Sequence, residues 1–236
     1  MDGALQNPAL KLDIGGRSVP VTVRRSARAR RISLRIDTAT HTVILVLPKR
    51  ATLEAGLRFA GEKTVWLQNR LAVLPAPVSF ARGVSIPLRG APHRIRHRPD
   101  SRAGVWLEDG EIHVSGAEAH LPRRLTDWLK AEARREITPR ARDKAVVVDL
   151  PVARVSVREA RSRWGSCSSA GNLSFSWRLI LAPEIVLDYV VAHEVAHLVH
   201  MNHGEDFWAL CATLTPRMEE AKTWLRRHGN QLHRYG

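Results

Sequence analysis

The chain has 236 residues, 44% hydrophobic and 25% charged, the balance of an ordinary globular protein with length for one large domain or two small ones. Its 37 lysines and arginines against 23 acidic residues leave a formal charge of +14, which invites a nucleic-acid partner through a basic surface, although basic runs are usually solvated faces. Two cysteines, Cys167 and Cys211, are too few for a disulfide framework; no apolar stretch reaches the roughly 18–20 residues needed to span a bilayer. Met1 to Leu12 lacks the basic start and apolar run of a signal peptide, so a cytoplasmic location is expected and no membrane partner.

From Leu10 to Leu47 the pattern is that of strands. Val19 to Val23 and Arg31 to Ile36 alternate apolar with polar, and Thr42 to Leu47 is a more continuous apolar run ending at Pro48. A basic cluster of Arg24, Arg25, Arg28, Arg30 and Arg31 falls between the first two. Thr52 to Leu74 changes period: Thr52 is an N-cap, Leu57, Ala60, Val65 and Trp66 form a broken helical stripe, and Gly56 and Gly61 are weak points. Pro75-Ala76-Pro77 ends it. Strand-like pieces return at Val84 to Leu88, His93 to Arg96, Gly104 to Leu107 and Glu111 to Val114, with turn signals between them. No repeat is evident.

Pro122 to Ile137 reads as a helix, and Thr138-Pro139 as the N-cap and first position of a second helical piece reaching about Val147. The sheet signal stops and the helical signal begins near residues 115–121. The expected fold class is therefore α+β, with a β-rich module carrying one helix over 1–118 and a second domain over 119–236. Arg154 to Arg158 and Leu173 to Leu181 look like strands joined by a hairpin connection with a Ser/Gly/Asn-rich tip. Pro183 and Glu184 open a helix whose Ile185 to Val199 stretch is apolar on almost every side, so it should be buried. Glu205 to Leu214 and Pro216 to His228 read as two further helices, with Phe207, Trp208 and Leu210 packing on the buried one.

That buried helix carries His193-Glu194-Val195-Ala196-His197, an H-E-x-x-H string. Residues four apart share a helix face, so His193 and His197 can aim at one point; two neutral imidazoles at that spacing suit Zn²⁺. Glu194 can then reach a metal-bound water as general base. A buried helix has little reason to carry these polar groups unless they are satisfied together. For a third ligand, His200 lies about two turns past His193 and is poorly placed. Asn202 tolerates the left-handed conformation that ends helices, so the chain can turn back and present His203. Glu205, Glu219 and Glu220 are the alternatives. The His193, His197, His203 spacing is that of metzincins, although His200 stands where that pattern has Gly. The strand from Leu173 to Trp177 is a candidate sheet edge beside the metal for a substrate backbone to join. Arg161, Arg163 and Arg178 could instead hold an anionic substrate such as a triphosphate.

Taken together, Arg163-Trp164-Gly165-Ser166-Cys167, Trp177-Arg178-Leu179-Ile180, Ala182-Pro183, Asp188-Tyr189-Val190-Val191, His193 to Leu198, Asn202-His203 and Phe207-Trp208 resemble the YgjP-like metallopeptidase family, which is related to the SprT-like proteases. The resemblance is strongest from about Arg154 to Trp208. It implies a zincin-like catalytic domain, with His193, His197 and His203 as zinc ligands and Glu194 as catalytic base. Ser176 and Gly204-Glu205-Asp206 depart from the family's usual residues. The departures bear on substrate contacts, for which Arg161, Arg163, Trp164 and Arg178 are the candidates. The expected function is thus zinc-dependent hydrolysis of a protein or peptide. The alternatives are a UTP pyrophosphatase, a label some members carry, and a nucleic-acid-associated protease.

Overall fold

The computed structural model describes residues 10–37, 40–160 and 163–236, and the chain divides into two compact units, Met1–Pro77 and Val78–Gly236. The first unit is a four-stranded sheet with two helices. Strands β1 (Leu10–Ile14), β2 (Arg17–Ser26), β3 (Ser33–Asp37) and β4 (Thr42–Pro48) lie in the order β1-β2-β4-β3. The outer pairs are antiparallel hairpins and the central pair, β2 with β4, is parallel. Val43, Leu45 and Leu47 alternate inward from β4 and meet Val19, Val21 and Leu67 in a core of their own. Helix α1 (Leu53–Glu62) is capped as expected, the Thr52 hydroxyl accepting from the Ala55 amide at 3.1 Å. Gly56 is a packing requirement of α1 and not a weak point, since a Cβ there would lie 2.6 Å from Leu47 Cδ2. The helical stretch breaks at Lys63, and α2 (Thr64–Ala72) follows.

The second unit begins with a sheet threaded in the same way. Strands β5 (Ser85–Leu88), β6 (Ala91–Arg98), β7 (Val105–Glu108) and β8 (Glu111–Ser115) lie in the order β5-β6-β8-β7, again with two antiparallel hairpins and a parallel central pair. The topology repeats although the sequence shows no repeat, because each sheet needs only the inward residues to be apolar. Here these are Ile86, Leu88, Ile95, Ile112 and Val114.

A single helix, α3 (Leu121–Val147), runs through the expected break at Thr138-Pro139. Proline inside a helix loses a hydrogen bond and costs about 3 kcal/mol. Against that, Leu121, Leu125, Leu129, Ala133, Ile137, Ala141 and Ala145 form an unbroken stripe with a four-residue step, all buried. Breaking the helix would put its last two members, Ala141 and Ala145, out of phase. The Arg140 side chain also donates to the Glu136 carbonyl at 2.8 Å, beside the proline.

The third sheet corrects another expectation. Strands β9 (Arg154–Arg158), β10 (Gly165–Cys167) and β11 (Asn172–Ser176) lie in the order β10-β11-β9, with β9 and β11 parallel and β10 and β11 antiparallel. The hairpin turn is 168–171, closed by Gly171 at φ +71°. Leu173 to Ser176 is therefore the central strand and not an edge. Trp177–Leu181 is a short 3-10 turn, followed by helices α4 (Glu184–Ala196), α5 (Glu205–Leu214) and α6 (Met218–Leu232). Lys144 ties α3 to α4 through Asp188, at 2.9 Å, and to the Leu214 carbonyl at 2.7 Å. Among the described residues, no helix is long and apolar enough to cross a membrane.

Candidate metal centre

Helix α4 is buried along most of its length, from Val186 to Ala196, and Glu194 is the charged residue enclosed with it. It ends earlier than its apolar run suggests. His197 is the C-cap, and Leu198 and Val199 make tighter bonds to the carbonyls of Val195 and Ala196 at 2.9 and 3.1 Å. Those bonds close the last turn and release the chain toward α5. His203 comes back on that return, its Nε2 3.2 Å from His193 Nε2. One nitrogen from each of His193, His197 and His203 lies within 4.8 Å of the others. Phe207, from the first turns of α5, holds the cluster: its ring centroid is 4.9, 4.6 and 4.7 Å from those of the three histidines. Trp208 stacks on His203 at 5.6 Å, with the Lys222 ammonium 4.4 Å from its ring centroid.

The environment keeps the His193 and His197 rings neutral. Burial, reinforced by His197 and His203, pushes the His193 pKa down to about 4. His197 is also lowered, by burial first and His203 to a lesser degree, against a raising hydrogen bond from the His200 backbone. That bond joins His197 Nδ1 to the His200 carbonyl at 2.9 Å. A carbonyl only accepts, so Nδ1 carries the proton and Nε2 keeps its lone pair free. His200 thus serves the cluster through its backbone. His193 Nδ1 is buried without a hydrogen-bond partner. Three imidazole nitrogens drawn this close, on two half-buried rings and one exposed ring, form a donor set that suits a cation.

Glu194 sits beside this cluster, 5% exposed, and burial raises its pKa to about 7, with Arg163 pulling the other way. Its room comes from Gly165 on β10. A Cβ at Gly165 would lie 2.4 Å from Glu194 Oε1 and 2.5 Å from Cγ. Sequence reasoning did not single out Gly165 on its own. A glycine inside a strand is the signal, because it marks a close approach. The same packing makes β10 the strand of the third sheet that lies against Glu194, and β10 is an edge.

The expected substrate residues are placed differently from one another. Arg161 lies outside the described residues. Arg163 is exposed and close enough to influence Glu194. Trp164 stacks on His233 at 4.6 Å, and its backbone carbonyl accepts from Ser176 at 2.9 Å. Arg178 is enclosed at 2% exposure, ion-paired to Glu159 and donating to the Tyr235 carbonyl at 3.0 and 3.2 Å. It is occupied in holding the C-terminal end and is not open to a substrate. The carboxylates considered as a third ligand are also engaged or apart: Glu219 pairs with Lys222 and Glu220 with Arg217, each at 2.7 Å. Cys167 is half-buried, its thiol donating to the Ser168 carbonyl at 3.4 Å, and burial beside Glu194 raises its pKa.

The model of the YgjP-like metallopeptidase domain matches residues 30–228. The chain belongs to the YgjP-like family. Comparison with curated proteins gave no match, nor did comparison with solved structures. The YgjP-like match spans residues from both compact units and includes the histidine cluster, Glu194 and Gly165. Membership of a metallopeptidase family agrees with a divalent metal at that cluster.

Proposed function

We propose that this YgjP-like chain is a zinc-dependent peptidase, with His193, His197 and His203 holding the metal and Glu194 acting as general base. The observation that carries the reading is the 3.2 Å between His193 Nε2 and His203 Nε2. Two nitrogens each 2.0–2.1 Å from one tetrahedral ion stand about 3.3 Å apart. All-imidazole donors suit zinc, whereas magnesium and calcium prefer oxygen. Held by these three imidazoles, a zinc ion would supply Lewis-acid polarisation of the peptide carbonyl and would lower the pKa of a water to roughly 7.

The chain's own groups supply the rest. Glu194, enclosed and with a pKa raised to about 7, is suited to take a proton from the attacking water and return it to the leaving amine. Strand β10 offers an unpaired edge on which an extended peptide can lie as an added strand. Arg163 is the cation placed to act on charge near the base. A triphosphate substrate has less support, since Arg178 is already committed to Glu159. A cytoplasmic setting agrees with two unpaired cysteines.

Glu194→Gln should retain one zinc per chain and lose cleavage of an unfolded protein by at least about 10²-fold, in line with removal of a general base. UTP is assayed beside the peptide substrate. A Gln variant that still cleaves protein at the wild-type rate defeats the mechanism, and Glu194-dependent release of pyrophosphate from UTP would move the substrate to the nucleotide class.

A further inference from the structure

The second sheet has two unlike faces. One carries Ile86, Leu88, Ile95, Ile112 and Val114 into the core. The other is led by β6, whose Arg94, Arg96 and Arg98 are exposed at every second position. At roughly 3.3 Å per residue they form a row of guanidinium groups about 13 Å long. With Arg82 they line a concave surface of about 490 Å³, completed by Gly83, His97, Glu111 and His113. Four arginines there face one carboxylate. Arg96 takes that carboxylate at 2.7 Å, and Arg98 is turned to His113 Nδ1 at 3.1 Å. Among the described residues, Arg82 and Arg94 have no carboxylate within ion-pairing distance.

The cleft does not end at Arg98. His97 and Arg98 also line a neighbouring hollow of about 470 Å³ with Pro99, Asp100, Ser101 and Trp106. Trp106 is opposite His113 in the β7–β8 pairing and stacks on it, centroids 5.0 Å apart and planes 15° from parallel. Its indole nitrogen is held by Glu108 at 3.1 Å. An oriented indole on the polar face of a sheet contributes nothing to the core on the other side.

We infer that this face of the second sheet binds single-stranded nucleic acid, with the row of arginines on the phosphates and Trp106 as a stacking platform for a base. A positively charged groove tracking the backbone, with an aromatic ring beside it, is the general arrangement for strands bound without sequence preference. A row along one strand fits an extended polyanion better than a compact anion, which would use only one or two of the arginines. The inference does not depend on the zinc reading.

The test uses the full zinc-loaded chain and labelled oligothymidylate, followed by fluorescence anisotropy across a salt series. The double variant Arg82→Gln/Arg94→Gln should weaken binding and reduce the slope of log K against log salt by about 1.4, from roughly 0.7 per phosphate contact on a single strand. Trp106→Ala should weaken it by roughly 5- to 160-fold, the range for one stacked base. Peptidase activity and zinc content should stay at wild-type values in Arg82→Gln/Arg94→Gln. A control variant, Arg28→Gln/Arg30→Gln/Arg31→Gln, removes charge from the first unit. Affinity that survives the Arg82/Arg94 change, or that is lost only in the first-unit control, overturns the assignment. So does inorganic polyphosphate binding equally well with no response to Trp106→Ala, which would leave a polyanion site without base contact.

Discussion

Gly165→Ala makes the sharpest test of the centre, because it adds one methyl group and changes no charge. That methyl would lie 2.4 Å from Glu194 Oε1, 2.5 Å from Cγ and 2.7 Å from Cδ, where ordinary contact begins at 3.4 Å. The shortfall is therefore about 1 Å along the whole end of the side chain. Glu194 is 5% exposed and has little space to swing into. A displacement of about 1 Å in a reacting group costs on the order of 10²-fold in rate. Initial rates on unfolded protein should fall by that factor, chiefly in kcat, while zinc content measured by atomic absorption stays at the wild-type level, since the three imidazoles are not touched. A fully zinc-loaded Gly165→Ala protein with the wild-type kcat would show that the carboxylate does not need the place this strand gives it.

Two other outcomes follow from the same coordinates. In α1, Gly56→Ala should destabilise by about 1–3 kcal/mol through overpacking against Leu45 and Leu47, whereas Gly61→Ala, with nothing within 4 Å, should stabilise by about 0.5 kcal/mol; urea unfolding of both variants checks the contrast. In metal-stripped protein, Glu194 binds its proton more tightly folded than unfolded, so its own contribution to stability is full below the ordinary carboxylate pKa and is lost as pH rises through about 7, while the lowered His193 and His197 act in the opposite direction. The Glu194 contribution should be on the order of 3 kcal/mol, read as the difference between wild type and Glu194→Gln in how stability changes between pH 4.5 and pH 8.

Much of the centre was legible because its spacing is local. His193 and His197 are set by one turn of helix. His203 does return to them, but not through a left-handed Asn202, since the positive-φ residues other than glycine among those described are His41, Arg89, Asp109 and Asp149, and the turn is closed instead by the amides of Leu198 and Val199. What could not be read was anything decided across the fold. Arg178 resembles an anion ligand in the sequence, but its partner Glu159 is 19 positions away and its second, Tyr235, is 57 away. Pro139 signals a helix start, and only the buried stripe from Leu121 to Ala145 shows why the helix continues. The strand at 173–176 reads as an edge until Gly165–Cys167 is seen to pair beyond it. The strand-to-helix change near residues 115–121 is a change of secondary structure, while the chain's compactness divides at the Pro75–Pro77 breaker.

The early end of α4 has a consequence for charge. A helix terminates in unbonded carbonyls that together act as roughly half a negative charge. At the C-cap position of His197, that pole falls at the imidazoles themselves. The three ring nitrogens bring no charge of their own, so a divalent ion among them would keep its full positive charge but for this backbone contribution. The termination that frees His203 to return therefore also supplies a fixed field favouring a cation, and it does so without adding an anionic ligand that would blunt the ion's pull on a carbonyl. An engineered carboxylate at position 203 would exchange that electrophilicity for tighter hold.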